Sequence, residues 1–496
     1  MKVCLILQRN FAYIGHAIAL ALKEKYGLTD FCAYVYLRDG YDFLRTQKDI
    51  AYTNLLLDED VHGTYKNEKL DMDYLRMLEK EYGLPNLWPY ITLDRIVRFN
   101  QLLREYPYNT PRYTHEEMLR ILQVKAKAVL AFLDTEKPDV LFLYPMGSIS
   151  QLLLYTIAKK RGIRTILIMP LGMKNVHVFS EDYRCFSFVE KRLKAPRGSE
   201  SDPFRKKARA YLEEFRTSPK GYYPMSHPTK QPIHRGKQFK FLLPKNLVAS
   251  LSFLCKYLYA SVTKRDRHDY STIRPIDWFK DRVRRKLRGL IGASDLYEPV
   301  DPSDTFAFYP LHTEPEINLL LQAPFMDDQV YLIDKIARAL PVGWKLYVKE
   351  HPLMANYRPR AYYKELKKIP NVKLVNPAIP SFELLQKAQL ITTVAGAGGF
   401  EGACFKKPVI TFGDIYYNAL SSVKNCKTLE DLASLVKKHL AEFRHNEDEL
   451  VDFISAIYED SAEADLYHLW EVEQDFEVRK KGVVPLADLL AKKLGL

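Results

Sequence analysis

Two short apolar runs, each ended by chain-breaking residues, constrain the fold of this sequence more than any other feature. Lys345–Val348 and Leu390–Val394 are rich in β-forming residues and too short for buried helices, which favours buried parallel strands. The first run is followed by His351-Pro352, where the proline ends the strand and holds the histidine at its carboxyl end. The second run passes into a glycine-rich turn and then a helix that begins near Gly399. This alternation predicts an α/β fold.

The glycine-rich turn predicts what the sheet would bind. In an open α/β sheet, ligands bind beyond the carboxyl ends of the strands. A strand-to-helix turn there offers bare N–H groups and a helix amino end, which suit a phosphate. No Walker lysine follows the glycines, and their order does not fit a nicotinamide site. The sequence therefore predicts a pocket for a nucleoside mono- or diphosphate.

The length of 496 residues exceeds what one hydrophobic core supports and predicts two domains with additions. Residues 1–182 show strand–helix–strand spacing and are expected to form a Rossmann-like domain, with strands at Lys2–Leu7, Asp30–Leu37, Asp139–Tyr144 and Thr165–Met169. The pattern of residues 303–428 predicts a second such domain. Residues 183–302, between the two domains, are expected to form a helical connector. Residues 429–496 are expected to form C-terminal helices.

The positive charge of the chain is concentrated in the connector. Residues 191–300 carry 26 Lys and Arg against 10 Asp and Glu, a net of +16, whereas the whole chain has +13 and the remainder −3. One interpretation is a connector with a solvated charged face. The other is a docking surface for an anionic membrane or a lipid carrier, since basic residues adjoin Leu, Phe, Tyr and Trp. No nucleic-acid-binding motif is present, so nucleic acid is not expected as a partner.

Cysteine usage and hydropathy predict a cytoplasmic protein. The six cysteines are scattered without a CxxC pair or a Cys/His cluster, which gives neither a disulfide framework nor a metal site. The apolar run at the amino terminus is too short for a signal peptide, and no stretch of 18 apolar residues is present. If the connector binds lipid, the protein would lie peripherally on the inner face of the membrane.

Lys349 and His351 are the first candidates for binding a phosphate. Strand alternation turns both side chains to one face, while Glu350 faces the other way, where an arginine of the connector could pair with it. A lone histidine at a strand end is often structural, so that alternative stays open. The turn residues Thr393, Gly396, Ala397, Gly398 and Gly399 would surround the same phosphate. Glu401, one helical turn further on, could accept hydrogen bonds from ribose hydroxyls.

Other candidates lie after two more strands. His312, Glu314 and Glu316 follow the first strand of the second domain and could either face the cleft or be charges of a surface loop. In the first domain, His16 follows the first strand, where a base for an acceptor hydroxyl could stand. The alternative interpretation of His16 is a structural histidine buried at the start of a helix.

These motifs together resemble the capsule polysaccharide biosynthesis proteins, a family that includes retaining Kdo transferases. The resemblance is carried by Tyr309–Glu316, Trp344–Pro352, Ser381–Leu385, the Gly-Phe-Glu that ends at Glu401, and Lys407–Gly413. It implies a metal-independent GT-B glycosyltransferase without a cofactor, whose nucleotide-sugar donor is held by the C-terminal domain and whose acceptor lies on the N-terminal domain. It further implies that His351 contacts the donor phosphate, that 396–399 line it, and that Glu401 takes the ribose.

The turn departs from the family pattern at Ala395 and Ala397, where relatives usually have Ser or Thr. The groups that could still donate hydrogen bonds to a phosphate are the backbone N–H groups and the hydroxyl of Thr392 or Thr393.

The resulting hypothesis is a glycosyltransferase of capsule or cell-envelope glycan biosynthesis that uses a CMP- or UDP-linked sugar. His16, Glu314 and His351 are its candidate catalytic residues, and the acceptor would be a glycan or glycolipid. Two alternatives stay open. A non-hydrolysing nucleotide-sugar epimerase would use Glu314 and Glu316 as its acid and base. A non-catalytic capsule assembly protein would have a degenerate pocket.

Overall fold

Two mostly parallel sheets organise the chain, as the alternation of apolar runs with helices predicted. The computed structural model describes residues 1–100, 111–144, 146–195, 199–221, 243–263, 270–271, 275–354 and 356–496. Helices connect the parallel strands of each sheet, which is the Rossmann-like arrangement of an α/β domain. The expected fold class, two Rossmann-like domains with a helical connector in the GT-B manner, is confirmed.

The first sheet contains the four predicted strands and adds others. Its first six strands are β1 (Val3–Leu7), β2 (Phe31–Val35), β3 (Tyr52–Leu57), β4 (Val140–Leu143), β5 (Arg164–Pro170) and β6 (Val176–Ser180). Strands β1 to β5 pair in parallel, while β6 runs antiparallel to β5. The strand β3 has no clear signal in the sequence because it is a partly exposed edge strand, so its residues are less apolar than those of a central strand.

Eight helices accompany this sheet within the described residues: α1 (Phe11–Tyr26), α2 (Arg38–Thr46), α3 (Asp58–Gly63), α4 (Met72–Tyr82), α5 (Trp88–Leu93), α6 (Arg95–Phe99), α7 (His115–Glu136) and α8 (Ile149–Lys160). The long helix α7 starts at a capping box, in which the side chains of Thr114 and Glu117 each bond the other's backbone N–H. Ser148 caps α8 through a single bond, in which its hydroxyl accepts from the backbone N–H of Gln151.

The second sheet has six strands, all parallel. They are β7 (Phe306–Pro310), β8 (Lys345–Lys349), β9 (Val372–Val375), β10 (Leu390–Thr393), β11 (Val409–Thr411) and β12 (Val423–Asn425), in the order β12-β11-β10-β7-β8-β9. Its helices are α13 (Ile317–Gln322), α14 (Gln329–Ala339), α15 (Arg360–Leu366), α16 (Ser381–Lys387) and α17 (Ala397–Cys404). Because β10, β7 and β8 are neighbours, the loops after their carboxyl ends meet at one edge.

The connector contains α9 (Ser187–Lys194), α10 (Pro203–Thr217), α11 (Pro244–Thr263) and α12 (Pro275–Ile291). Helices α9 and α10 pack against the C-terminal segment, whereas α11 and α12 pack against each other. Parts of the predicted connector lie outside the described residues. Within the described ranges, no helix is both long and apolar enough to cross a bilayer.

The C-terminal segment returns to the first domain. It comprises α18 (Leu432–Glu442), α19 (Glu447–Glu459), strand β13 (Ser461–Glu463), α20 (Phe476–Gly482) and α21 (Val484–Leu494). Strand β13 pairs antiparallel with β6 and completes a seven-stranded first sheet, and α20 and α21 pack on α1. The chain thus crosses from the second domain back to the first, and the block predicted as terminal helices also supplies a strand.

The two domains touch on one side of the cleft between them. The backbone N–H of Gly172 in the first domain donates to the hydroxyl of Tyr416 across 3.2 Å. The ring of Tyr416 also stacks on Phe186 of the connector, with centroids 4.6 Å apart. Tyr416 thus joins the second domain to both other parts of the chain.

Candidate functional site

A cleft of about 1700 Å³ lies between the domains, at the carboxyl edge of the second sheet. The loops after β7, β8 and β10 form one wall. Arg9, Arg95 and Tyr144 of the first domain also line the cleft, and the end of α12 contributes Arg288. The predicted site residues that line this cleft are His312, Glu314, Glu316, Lys349, His351, Thr393, Gly396, Ala397, Gly398 and Glu401. The cleft thus lies at the edge where ligands bind in open α/β sheets.

His351 is held as a neutral hydrogen-bond donor. Its Nδ1 accepts from the backbone N–H of Leu353 across 3.2 Å, which leaves the hydrogen on Nε2. Burial lowers the pKa of His351 below its usual value, although the carboxylates of Glu316 and Glu350 oppose the shift. At neutral pH the ring therefore carries an Nε2–H that can donate to a ligand in the cleft.

Glu350 faces away from the cleft, as strand alternation predicted, but its partner was predicted wrongly. Its carboxylate pairs with Arg358, which follows β8 in the same domain and is not part of the connector. The hydroxyl of Tyr363 donates to the same carboxylate across 2.8 Å. Arg358 also donates to the backbone carbonyl of His312 and lies 3.6 Å from Glu314. This buried pair ties the loop after β7 to the loop after β8.

His312 and the two glutamates that follow it are anchored groups rather than charges of a surface loop. The His312 ring is buried, with Nε2 3.0 Å from the hydroxyl of Thr393 and Nδ1 3.6 Å from the carboxylate of Glu316. Burial alone would raise the pKa of Glu316, but the hydrogen bond with His312 brings it below its usual value. Glu314 is buried against Arg358 and accepts from Gln329.

Close packing explains two of the glycines in the turn. A Cβ on Gly396 would lie 2.8 Å from Cε1 of His312 and 2.9 Å from Oγ1 of Thr393. A Cβ on Gly399 would lie 2.5 Å from the hydroxyl of Tyr417, which donates to the carbonyl of Gly396 across 2.6 Å. Gly399 therefore packs against Tyr417, a residue that the sequence did not single out, and does not line the cleft.

The helix after the turn begins two residues earlier than predicted, at Ala397. Its N-cap, Gly396, has no side chain to accept from the first-turn N–H groups, so Ala397 and Gly398 present backbone at the cleft wall. The hydroxyl of Thr393 accepts from the N–H of Gly396 across 3.2 Å and contacts His312. Thr392 is buried and donates to the carbonyl of Phe308 across 3.3 Å, so Thr393 is the threonine at the cleft.

Lys349 and Glu401 form a titratable couple in the cleft wall. The ammonium of Lys349 donates to the hydroxyl of Ser381 across 2.9 Å, and burial lowers the pKa of Lys349 to about 8 against the attraction of Glu350 and Glu401. Burial raises the pKa of Glu401 to about 7, against the charge of Lys349. Both groups thus change charge near neutral pH, where a phosphate ligand would change their balance.

His16 lies away from the cleft. It is fully buried, its Nδ1 is 2.9 Å from the hydroxyl of Tyr52, and its ring packs on Phe43 and Phe476. Burial lowers the pKa of His16 to about 4. Helix α1 begins at Phe11, so His16 falls on its second turn, where it contacts Tyr52 of β3 and Phe476 of α20. Neither element was predicted there, and the first-domain residues at the cleft are instead Arg9, Arg95 and Tyr144.

Of these first-domain residues, Arg9 had a signal in the sequence. It directly follows β1, at the edge where a parallel sheet binds ligands. Arg95 begins the five-residue helix α6 in a region with a purely helical pattern, and only the tertiary packing brings it to the cleft.

A family model described as "Capsule polysaccharide biosynthesis protein" matches residues 281–427. Residues 281–427 are therefore similar to that family over about a third of the chain, and we call them the capsule-synthesis segment. The capsule-synthesis segment begins in α12 and ends just beyond β12, so it contains the whole second sheet and the cleft residues described above except those of the first domain.

Solved structures resemble the chain distantly. The β-Kdo 2,7-transferase of Thermosulfurimonas dismutans KpsC shares 11% identity, with 73% of this chain and 89% of that chain covered and a TM-score of 0.36. The UDP-GlcNAc 2-epimerase of Neisseria meningitidis bound to UDP-GlcNAc shares 11% identity over 100% and 99%, with a TM-score of 0.28. At such scores no residue role is transferred from them to the capsule-synthesis segment. No curated protein matches the chain.

Proposed function

We propose that this protein is a glycosyltransferase of capsule polysaccharide biosynthesis, which moves a sugar from a nucleotide-sugar donor to a glycan or lipid-linked acceptor. The observation that carries the proposal is that three kinds of group able to donate hydrogen bonds to a phosphate lie on one wall of the cleft. These are the Nε2–H of His351, the ammonium of Lys349 and the backbone of the turn at Ala397 and Gly398.

The donor's phosphate would be bound at this wall. Departure of the nucleotide leaves negative charge on the phosphate oxygens, and fixed donors in a partly buried site stabilise that charge without reorganising. His351 is fixed by Leu353, and Lys349 by Ser381. Glu401, one helical turn beyond the glycines, would accept hydrogen bonds from the ribose hydroxyls. The binding test below distinguishes whether the donor sugar is linked to CMP or to UDP.

The acceptor would enter from the first domain, where Arg9, Arg95 and Tyr144 face the same cleft. His16 is too deeply buried to reach an acceptor there. Glu314 lies at the cleft but is held by Arg358 and Gln329, so we assign it a positioning role.

Nucleotide binding tests the proposal directly. We expect calorimetric titration to show binding of at least one of CMP, UDP and GDP, and His351→Asn to weaken that binding about tenfold through the loss of one charge-assisted hydrogen bond. His445→Asn is the matched control, because His445 pairs with Glu447 and does not line the cleft. If none of the three nucleotides binds, a non-catalytic capsule assembly protein is the better interpretation.

An epimerase is the second candidate, since Glu314 and Glu316 both line the cleft and are carboxylates of the kind that acid–base chemistry on a sugar needs. Product analysis with and without an acceptor separates the two functions. A transferase releases the nucleotide only when an acceptor is present or at a slow hydrolytic rate, whereas an epimerase converts the donor sugar without any acceptor.

A further inference from the structure

Helix α12 carries an apolar stripe that no described residue covers. Five side chains spaced three or four residues apart lie on one face of the helix, and all are exposed: Ile276 by 57%, Phe279 by 58%, Val283 by 39%, Leu287 by 52% and Ile291 by 62%. Such spacing normally marks the face that a helix buries. The stripe is therefore a surface that lacks a partner within the described chain.

Helix α11 extends this surface. Its apolar residues Leu247, Val248, Leu251 and Tyr259 are exposed, and the ring of Phe253 packs on Trp278 of α12 with centroids 5.5 Å apart. Among the described residues, 23 large apolar side chains are exposed, and 12 of them lie between 243 and 291. We call α11 and α12 together the apolar hairpin.

Basic side chains adjoin the stripe on α12. The helix has six Lys and Arg against two Asp, and Lys280, Arg282, Arg284 and Lys286 are exposed. The remaining two point towards the protein: Arg285 donates to the hydroxyl of Tyr357 across 2.7 Å, and Arg288 to its backbone carbonyl. Apolar residues flanked by Lys and Arg match the interface of a bilayer with anionic headgroups. A second copy of the hairpin would instead set like charges against each other.

We propose that the apolar hairpin docks this protein on an anionic lipid surface, with the stripe of α12 in the boundary between headgroups and acyl chains and Lys280, Arg284 and Lys286 on the headgroups. Arg288 of the same helix lines the cleft, so docking would hold the mouth of the cleft close to the lipid. The hairpin would lie on the membrane rather than span it. The proposal does not depend on the transferase reaction.

Vesicle flotation tests the apolar part of the proposal. The full chain is expected to float with vesicles of phosphatidylcholine mixed with phosphatidylglycerol, and weakly with phosphatidylcholine alone. The variant Phe279→Ser/Leu287→Ser should bind the mixed vesicles about tenfold or more weakly, because two apolar side chains no longer leave water. Phe325→Ser is the matched control, since Phe325 is 72% exposed outside the hairpin. Equal loss in both variants would overturn the proposal.

The charge part has its own test. Lys280→Gln/Lys286→Gln should weaken binding to the mixed vesicles about fivefold per lysine and leave binding to phosphatidylcholine unchanged. The matched control is Lys437→Gln/Lys438→Gln on α18, a pair of lysines that are also exposed. Analytical sedimentation without vesicles tests whether a second copy of the chain covers the stripe instead. A dimer that Phe279→Ser/Leu287→Ser dissociates, with no vesicle binding in the native chain, would assign the stripe to a second copy and overturn the proposal.

Discussion

At the scale of single residues, Lys349 and Glu401 set the electrostatics of the cleft. Burial brings the pKa of Lys349 down to about 8 and that of Glu401 up to about 7, although each attracts the other. Desolvation penalises the charged form of both groups, so each keeps its charge less firmly than it would in water. An incoming phosphate would restore the charge of the lysine and disfavour that of the glutamate.

The stability of the protein should depend on the ionisation of Glu401. Because its pKa is raised from 4.5 to about 7 in the folded state, its contribution is fully present below pH 4.5 and is lost as the pH rises to about 7. Glu401→Gln removes this titration and should flatten the profile by up to about 3 kcal/mol over that interval. Urea denaturation at a series of pH values measures it.

The control for this measurement is Glu383→Gln, which removes an exposed carboxylate of the cleft rim. That variant should follow the native pH profile. A Glu401→Gln profile that parallels the native one would show that the burial of Glu401 has no energetic consequence.

At the scale of elements, one buried ion pair fixes the loops that carry the site. Arg358 and Glu350 are both fully buried, and Arg358 reaches from the loop after β8 to the backbone of His312 after β7. His312 in turn contacts Thr393 at the end of β10. Three neighbouring strands of the second sheet are thus joined at their carboxyl ends by side chains, and the geometry of the cleft wall depends on these joints.

Removing Arg358 should destabilise the protein strongly. Arg358→Met leaves the carboxylate of Glu350 buried without its cation, which typically costs about 3–5 kcal/mol. Arg360→Met, two residues away, breaks the ion pair between Arg360 and Asp295. The side chains of Arg360 and Asp295 are 31% and 60% exposed, so this variant should lose far less stability than Arg358→Met. Urea denaturation of both variants provides the comparison. Equal costs would mean that the buried pair is not what holds the loops.

At the scale of the whole molecule, the C-terminal segment closes the first domain. Strand β13 forms the edge of the first sheet beside β6, and α21 packs on α1. Leu486 and Leu490 of α21 share one hydrophobic cluster with Ile14 and Ile18 of α1, and all four are fully buried. The first domain is therefore built from both ends of the sequence, with the second domain between them.

A chain that stops after Glu459 should lose a stably folded first domain. The truncation removes β13, α20 and α21, exposes the apolar face of α1 and leaves β6 as an unpaired edge. We expect loss of a cooperative thermal transition for this domain and rapid proteolysis within residues 1–182, whereas removal of Leu496 alone, 46% exposed, should change neither. Proteolytic resistance of the truncated chain equal to that of the full chain would contradict the role given to the segment.

Much of the second domain could be predicted from sequence because its signals are local. The strands near Lys345 and Leu390, the proline after His351 and the glycine turn are each specified within a few residues. Parallel topology then brings their carboxyl ends together without further information. The partner of Glu350 was predicted wrongly because Arg358 is one of many arginines, and no local pattern says which one reaches a buried carboxylate.

The α/β class and the two sheets follow from local sequence patterns, as does the predicted phosphate-binding edge of the second sheet, because periodicity and chain breakers act over short distances. The folded structure was needed to show that His16 is buried, that Arg9 and Arg95 reach the cleft, that β13 joins β6, and that the stripe of α12 faces outward. Each of these depends on which distant segments pack together, and burial between distant segments leaves no fixed spacing in the chain.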